Sequence, residues 1–220
     1  MKIFNALPFF KFKRSPVQLI SENWSERSSI LEEDVNLFVW QRTLDKDITS
    51  YLERLLNMPL QDIRGIVDVN NLDEQLASLR NYWDEKTLPN GDEFWNDVRQ
   101  ITIDFLKFSQ EGRGTLHLKV VSNDACKKFH VDGYSLRLFS SYLGPGTEWL
   151  PEHAVNRHAL GTTNTRIVNY PSKIQRMGTG HVGILKGEIP SQHTKEKGIV
   201  HRSPMITQTN TKRIILRIDI

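Results

Sequence analysis

Two hydrophobic rhythms run along this chain. Between residues 45 and 109 the spacing is helical. Ile48, Tyr51, Leu52, Leu55 and Leu56 recur at three- and four-residue intervals. That spacing predicts a helix capped by Asp45 or Asp47 and ended before Pro59. A second helix is expected from Asp73 to Tyr82. A longer one runs from about Asp92 to Ser109, with Phe94, Val98, Ile101, Phe105 and Phe108 on one face, a stripe that reads as core packing. Pro89-Asn90-Gly91 reads as a turn before it, and Gly112 and Gly114 end it. Upstream, Val35, Leu37 and Val39 alternate with Asn36, Phe38 and Trp40 as a short strand. Residues 1–30 read as an irregular arm.

Beyond residue 115 the period falls to two. Leu116, Leu118 and Val120 alternate with His117, Lys119 and Val121. Leu136, Leu138, Ser140 and Tyr142 share one face of a strand from Tyr134 to Leu143. Arg137 lies on the other face, toward a substrate. Gly144-Pro145-Gly146 turns the chain. Val182, Ile184 and Lys186 alternate with Gly183 and Leu185, and Gly198 to His201 is extended. In the last strand Ile214, Leu216, Ile218 and Ile220 oppose Arg213, Ile215, Arg217 and Asp219. Short strands between Gly, Pro and Asn turns predict a β-sandwich or barrel. The fold class is therefore α+β. Residues 1–220 read as one domain, with a mostly helical flank over 1–110 and a β-rich core over 111–220.

Composition narrows the function classes. In 220 residues, 38% hydrophobic and 25% charged positions exclude a disordered chain. No apolar run reaches the roughly 18 residues of a membrane span. Cys126 is the single cysteine, which excludes an internal disulfide framework and a Cys-rich zinc module. The apolar patch at Leu7–Phe10 is too short and too interrupted for a secretory signal, so the expected compartment is the cytoplasm. The net charge of +3 hides an asymmetry, because residues 1–110 carry 13 basic and 18 acidic side chains and residues 111–220 carry 16 and 8. All seven histidines lie in the second half. That half suits an anionic small molecule, a metal or nucleic acid. Nucleic acid ranks last, since no basic stripe interleaved with aromatics is present.

His130-Val131-Asp132 carries the chemistry. On a strand, residues two apart face the same way, so an imidazole and a carboxylate can meet one point. His201, late in the chain before the final strand, is the best third donor. Two histidines and a carboxylate on one face of a cation form the facial triad of non-heme Fe(II) oxygenases. An arginine about a dozen residues later, Arg213, suits the far carboxylate of 2-oxoglutarate, because a guanidinium grips a carboxylate at two points. Arg217 shares its face and is the alternative clamp. Tyr142 and Ser203 are candidate hydrogen-bond partners for that carboxylate.

The order of these motifs resembles the Fe(II)- and 2-oxoglutarate-dependent dioxygenases, over about residues 115–220. The stretch Gly180-His-Val-Gly-Ile-Leu-Lys-Gly187, then His201, then Arg213-Ile-Ile-Leu-Arg217, looks most like the phytanoyl-hydroxylase-like branch. Phe129-His-Val-Asp132, Leu136-Arg-Leu138, Tyr142 to Leu150, Lys186-Gly-Glu188 and His201-Arg-Ser-Pro204 are also similar to a bacterial domain-of-unknown-function family. The dioxygenase resemblance implies a double-stranded β-helix (jelly-roll, cupin-like) core. It implies His130, Asp132 and His201 as Fe(II) ligands and catalytic residues, Arg213 as the co-substrate clamp, and C–H oxidation coupled to 2-oxoglutarate decarboxylation. The substrate could be a metabolite, a protein side chain or a peptide. A cupin-like protein holding Zn(II) or another divalent ion on the same residues, for metal handling or sensing, is the alternative.

Overall fold

The computed structural model describes residues 15–83, 91–189 and 197–220. Its frame is a seven-stranded sheet. In chain order the strands are β1 (Val17–Ser21), β2 (Val35–Trp40), β3 (Ile63–Asp68), β4 (Arg113–Val121), β5 (Leu136–Leu143), β6 (Glu148–Trp149), β7 (Gln175–Arg176), β8 (Val182–Lys186), β9 (His201–Arg202) and β10 (Arg213–Asp219). The large sheet runs β1-β2-β8-β5-β10-β4-β3, and a small sheet runs β7-β6-β9. Only the β1–β2 pair of the named strands is parallel.

Alternation along the central strands explains the layering. On β10, Ile214, Leu216 and Ile218 point into the main core, where Leu138 and Tyr142 of β5 and Val182 and Ile184 of β8 join them. Three helices cover that face: α1 (Lys46–Leu55), α2 (Leu72–Arg80) and α3 (Gly91–Phe108). Their buried stripes include Ile48, Tyr51, Leu52 and Leu55 on α1, and Phe94, Val98, Ile101 and Phe105 on α3. Leu37 and Val39 of β2 and Leu185 of β8 point the opposite way, onto Trp149, Met177 and Ile199. The large sheet is thus buried on both faces, by helices on one side and the small sheet on the other.

The expected helices are present, α1 with the side chain of Asp45 accepting from the Asp47 N–H. The flank differs from its expected character in one way. It supplies β1, β2 and β3 to the large sheet and seals both of its edges. Residues 15–30, expected as irregular, hold β1 and a run of 3₁₀ turns from Trp24 to Leu31. The patch at 7–10 and the first two residues of the turn at 89–91 lie outside the described residues.

A buried polar cluster locks α3 to the sheet. Arg42 sets Nη2 on Asp97 Oδ2 at 2.8 Å and Nε on the Gly180 carbonyl at 2.8 Å. The Tyr142 hydroxyl donates to the same Asp97 oxygen at 2.5 Å. Burial, followed by the Asp97 charge, holds the Tyr142 phenol well above its ordinary pKa, so it stays a donor. Tyr142→Phe is expected to lower the unfolding free energy by about 1.5–3 kcal/mol, the range for a hydrogen bond to a charged group. Urea denaturation reads this. An unchanged midpoint would contradict it.

Candidate metal centre

The three expected donors converge. One ligand atom from each of His130, Asp132 and His201 lies within 4.8 Å of the others. The cause begins in the backbone. His130 and His201 form a one-residue antiparallel bridge, with His130 N–H on the His201 carbonyl at 3.0 Å and the reverse at 2.9 Å. Their ring centroids are 4.6 Å apart. His201 also pairs with Trp149 across β9 and β6. The segment before His130 is pinned by Asn164, whose Oδ1 accepts from the Phe129 N–H while its Nδ2 donates to the Lys127 carbonyl. The residues from Phe129 to Val200 that surround this pin form a small core of their own, with Leu150, Ala154, Val155 and Ile167.

Asp132 does not sit on a regular strand, as the alternation argument had assumed. It lies in the irregular stretch between the bridge at His130 and β5. Other contacts aim it. Its carbonyl accepts from the Glu188 N–H at 2.8 Å. Its carboxylate takes an ion pair from Arg137 Nη1. Gly187 lets that stretch lie close, since a Cβ there would collide with the carbonyl oxygens of Tyr134 and Asp132.

Hydrogen bonds fix the tautomers. His130 Nδ1 is 2.9 Å from the Lys128 carbonyl and His201 Nδ1 is 3.1 Å from the Ile199 carbonyl. A carbonyl only accepts, so both Nδ1 atoms carry the proton. The two neutral rings then present Nε2 lone pairs toward Asp132, at 3.5 Å from Oδ1 and 3.2 Å from Oδ2. Three acceptors at these distances need a proton or a cation between them. Two imidazoles and a carboxylate, each oriented by an outer partner, match the donor set of a divalent transition-metal site.

Electrostatics agree. Burial alone would push the Asp132 carboxyl up, but His130, His201 and Arg137 outweigh it and hold it well below the carboxylate range. The Asp132 carboxylate raises His130 above the ordinary histidine value, against burial. A proton on His130 would relieve the same confrontation as a cation.

The site opens on a cavity of about 360 Å³, whose walls include His130, His201, Arg137, Phe139, Ser203 and Arg217. That volume is near the lower end for small-molecule sites, roughly 300–1,000 Å³. Arg213 does not line the cavity; its guanidinium carbon lies 5.9 Å from the centroid of the Phe139 ring, which does. It is 1% exposed, donates to Ser141 Oγ at 2.9 Å, and leaves Nε without a partner. Among the described residues no carboxylate lies at ion-pair distance from it. Burial lowers its pKa to about 10, so it remains charged at neutral pH. Arg217 instead has the Asp219 carboxylate at 3.1 Å and His117 Nε2 at 3.1 Å. Ser203 lines the wall, and its N–H donates to the Cys126 carbonyl. Tyr142 is not brought to the site. It faces the helices, with its hydroxyl on Asp97. Arg137, expected to face a substrate, reaches Asp132 and Asp219. Asp219 and Asn164 were not singled out from sequence. Asp219 could have been, because it shares the Arg213 and Arg217 face of the last strand.

The model of a family described as a protein of unknown function (DUF1826) matches residues 21–219. The chain belongs to this family. No curated protein matches it by sequence. Among solved structures it is similar to a dioxygenase for auxin oxidation from Arabidopsis thaliana, in a 2-oxoglutarate binary complex. That match has 8% identity and a TM-score of 0.55, covering 94% of this chain and 92% of the other. It is also similar to a dioxygenase for auxin oxidation in rice, with 9% identity and a TM-score of 0.50, covering 92% and 82%. These likenesses show the fold, a jelly-roll core carrying helices. Among the described residues no helix is long and apolar enough to cross a membrane.

Two outcomes test the geometry. Gly187→Ala should destabilise the chain by about 1–3 kcal/mol, as overpacking does. It should also weaken Co(II) binding by displacing Asp132, read by thermal unfolding and by titration; wild-type affinity would contradict it. The second concerns pH. The raised His130 value lends the metal-free chain stability that is full below the free-histidine pKa. That stability is lost as pH climbs through the raised value. The depressed Asp132 value lends stability that is lost only as pH falls below the free-carboxylate range. A metal must displace the His130 proton. Affinity for Co(II) should therefore rise with pH and level off only above the ordinary histidine value. A plateau already reached well below that value would contradict it.

Proposed function

We propose that this protein is an Fe(II)- and 2-oxoglutarate-dependent oxygenase, a hydroxylase working in the cytoplasm. One observation carries the reading. Two Nε2 lone pairs and a carboxylate converge at the wall of a cavity, in a fold shared with dioxygenases. When bound, Fe(II) with 2-oxoglutarate and dioxygen supplies C–H oxidation coupled to decarboxylation to succinate. The residues of the chain do the rest. His130, Asp132 and His201 would hold the cation and leave room for reactants beside it. The Lys128 and Ile199 carbonyls keep both rings in the ligating tautomer. Arg213 does not line the cavity, but it is a buried cation with no carboxylate at ion-pair distance among the described residues, and it would take the distal carboxylate of a co-substrate that reached past the Phe139 ring. Phe139 and Ile215 keep the adjoining cavity wall apolar.

The test is 2-oxoglutarate turnover by purified protein with Fe(II), followed as succinate and as oxygen uptake. His201→Ala and Asp132→Ala should abolish both. Arg213→Gln should raise KM for 2-oxoglutarate by the equivalent of about 2–5 kcal/mol, the cost of unpairing a buried charge. Arg217→Gln, whose guanidinium already has Asp219, should raise it less. Tight Zn(II) with neither 2-oxoglutarate binding nor succinate would replace this reading with a cupin-like metal-binding protein.

A further inference from the structure

We propose that Arg137 is a positioning residue for the ligand Asp132, and that Asp219 holds Arg137 in place. The proposal rests on the metal-site reading but not on turnover. Arg137 is 7% exposed, and its guanidinium spans two carboxylates. Nη1 meets Asp132 Oδ2, and Nε meets Asp219 Oδ1 at 2.5 Å. Asp219 is its cross-strand partner in the β5–β10 register, so backbone pairing sets that contact. The Tyr134 ring lies 4.7 Å from the guanidinium carbon and adds a third constraint.

Asp219 has a second charged neighbour, in a contact that lacks hydrogen-bond alignment. Its second oxygen lies 3.1 Å from Arg217 Nε and 3.6 Å from His117 Nε2. The result is a chain of alternating charge, Asp132–Arg137–Asp219–Arg217, running from the metal ligand to the cavity wall. Arg137 does two things in it. It occupies one oxygen of Asp132, so the carboxylate offers its other oxygen in a set orientation. It also separates two carboxylates that would otherwise repel. A planar fork with nitrogens in fixed relation can bridge both groups, and a single ammonium cannot.

The test uses Co(II) alone, followed by visible absorption, with the full chain. Arg137→Gln should weaken Co(II) binding by about 10- to 100-fold, as loss of an outer-shell partner does. It should also shift the ligand-field bands. Arg137→Lys should not restore them. Asp219→Asn should act in the same direction by a smaller factor. His201→Ala, losing the signal, ties it to the triad. A folded Arg137→Gln protein with wild-type affinity and spectrum overturns the proposal, even if its melting temperature falls. Should that variant fail to fold by circular dichroism, Asp219→Asn with wild-type affinity and spectrum overturns it. Wild-type protein that binds Co(II) but forms no succinate with Fe(II) sinks the oxygenase reading and leaves this one standing.

Discussion

Three hydrogen-bond acceptors are forced together, and the centre depends on that confrontation. Each imidazole gives its Nδ1 proton to a carbonyl two residues away in its own backbone. The Nε2 lone pairs are thereby committed to face Asp132. Such an arrangement is repulsive unless a positive charge lies between. A proton can relieve it, and so can a divalent ion. A core histidine with an inert role would turn a donor toward the carboxylate instead. The donor–acceptor count, more than the presence of the residues, marks this place as a cation site.

Contacts from several segments hold the three side chains together. His130 and His201 are 71 residues apart in sequence and are joined by one reciprocal pair of backbone hydrogen bonds. A single bridge is a weak constraint. It is reinforced from both sides, by Trp149 pairing with His201 and by Asn164 pinning Phe129. The long excursion between β6 and β8 supplies Asn164, so its small apolar core bears directly on the segment that carries His130. Arg157 ties that excursion back to the Glu188 carboxylate and the Gly198 carbonyl, the same stretch that holds the Asp132 carbonyl through the Glu188 N–H.

What was legible in the sequence follows from periodicity. Long amphipathic stretches announced α1, α2 and α3, and alternation announced β4, β5, β8 and β10. β3 went unread because Gly65 interrupts its pattern. A Cβ there would come within 2.9 Å of the Leu79 side chain of α2. β6, β7 and β9 are two residues each, too short for any period. The three donors were legible as a motif, yet the reason given for their convergence was only half right. A regular strand does not align His130 with Asp132. Contacts from Glu188 and Gly187, distant in sequence, and from Arg137, five residues on, do, and strand alternation encodes none of them. Tyr142 shows the same gap. Its place on a strand was visible, but the buried Arg42–Asp97 pair that claims its hydroxyl comes from a loop and a helix far away in sequence.

The distribution of arginines then separates structure from chemistry. Arg42, Arg137, Arg157 and Arg202 each have a carboxylate within ion-pair distance, and all four join segments distant in sequence. Paired charges of this kind are costly to break and contribute little net attraction to a further anion. Arg213 is different. It is as buried as any of them, donates to a serine hydroxyl, lies against the Phe139 ring, and has no carboxylate at ion-pair distance among the described residues. Keeping a guanidinium desolvated with no carboxylate at ion-pair distance costs stability. The basic surplus of the second half of the chain thus resolves into many cations that hold the scaffold and one, Arg213, with no carboxylate at ion-pair distance among the described residues.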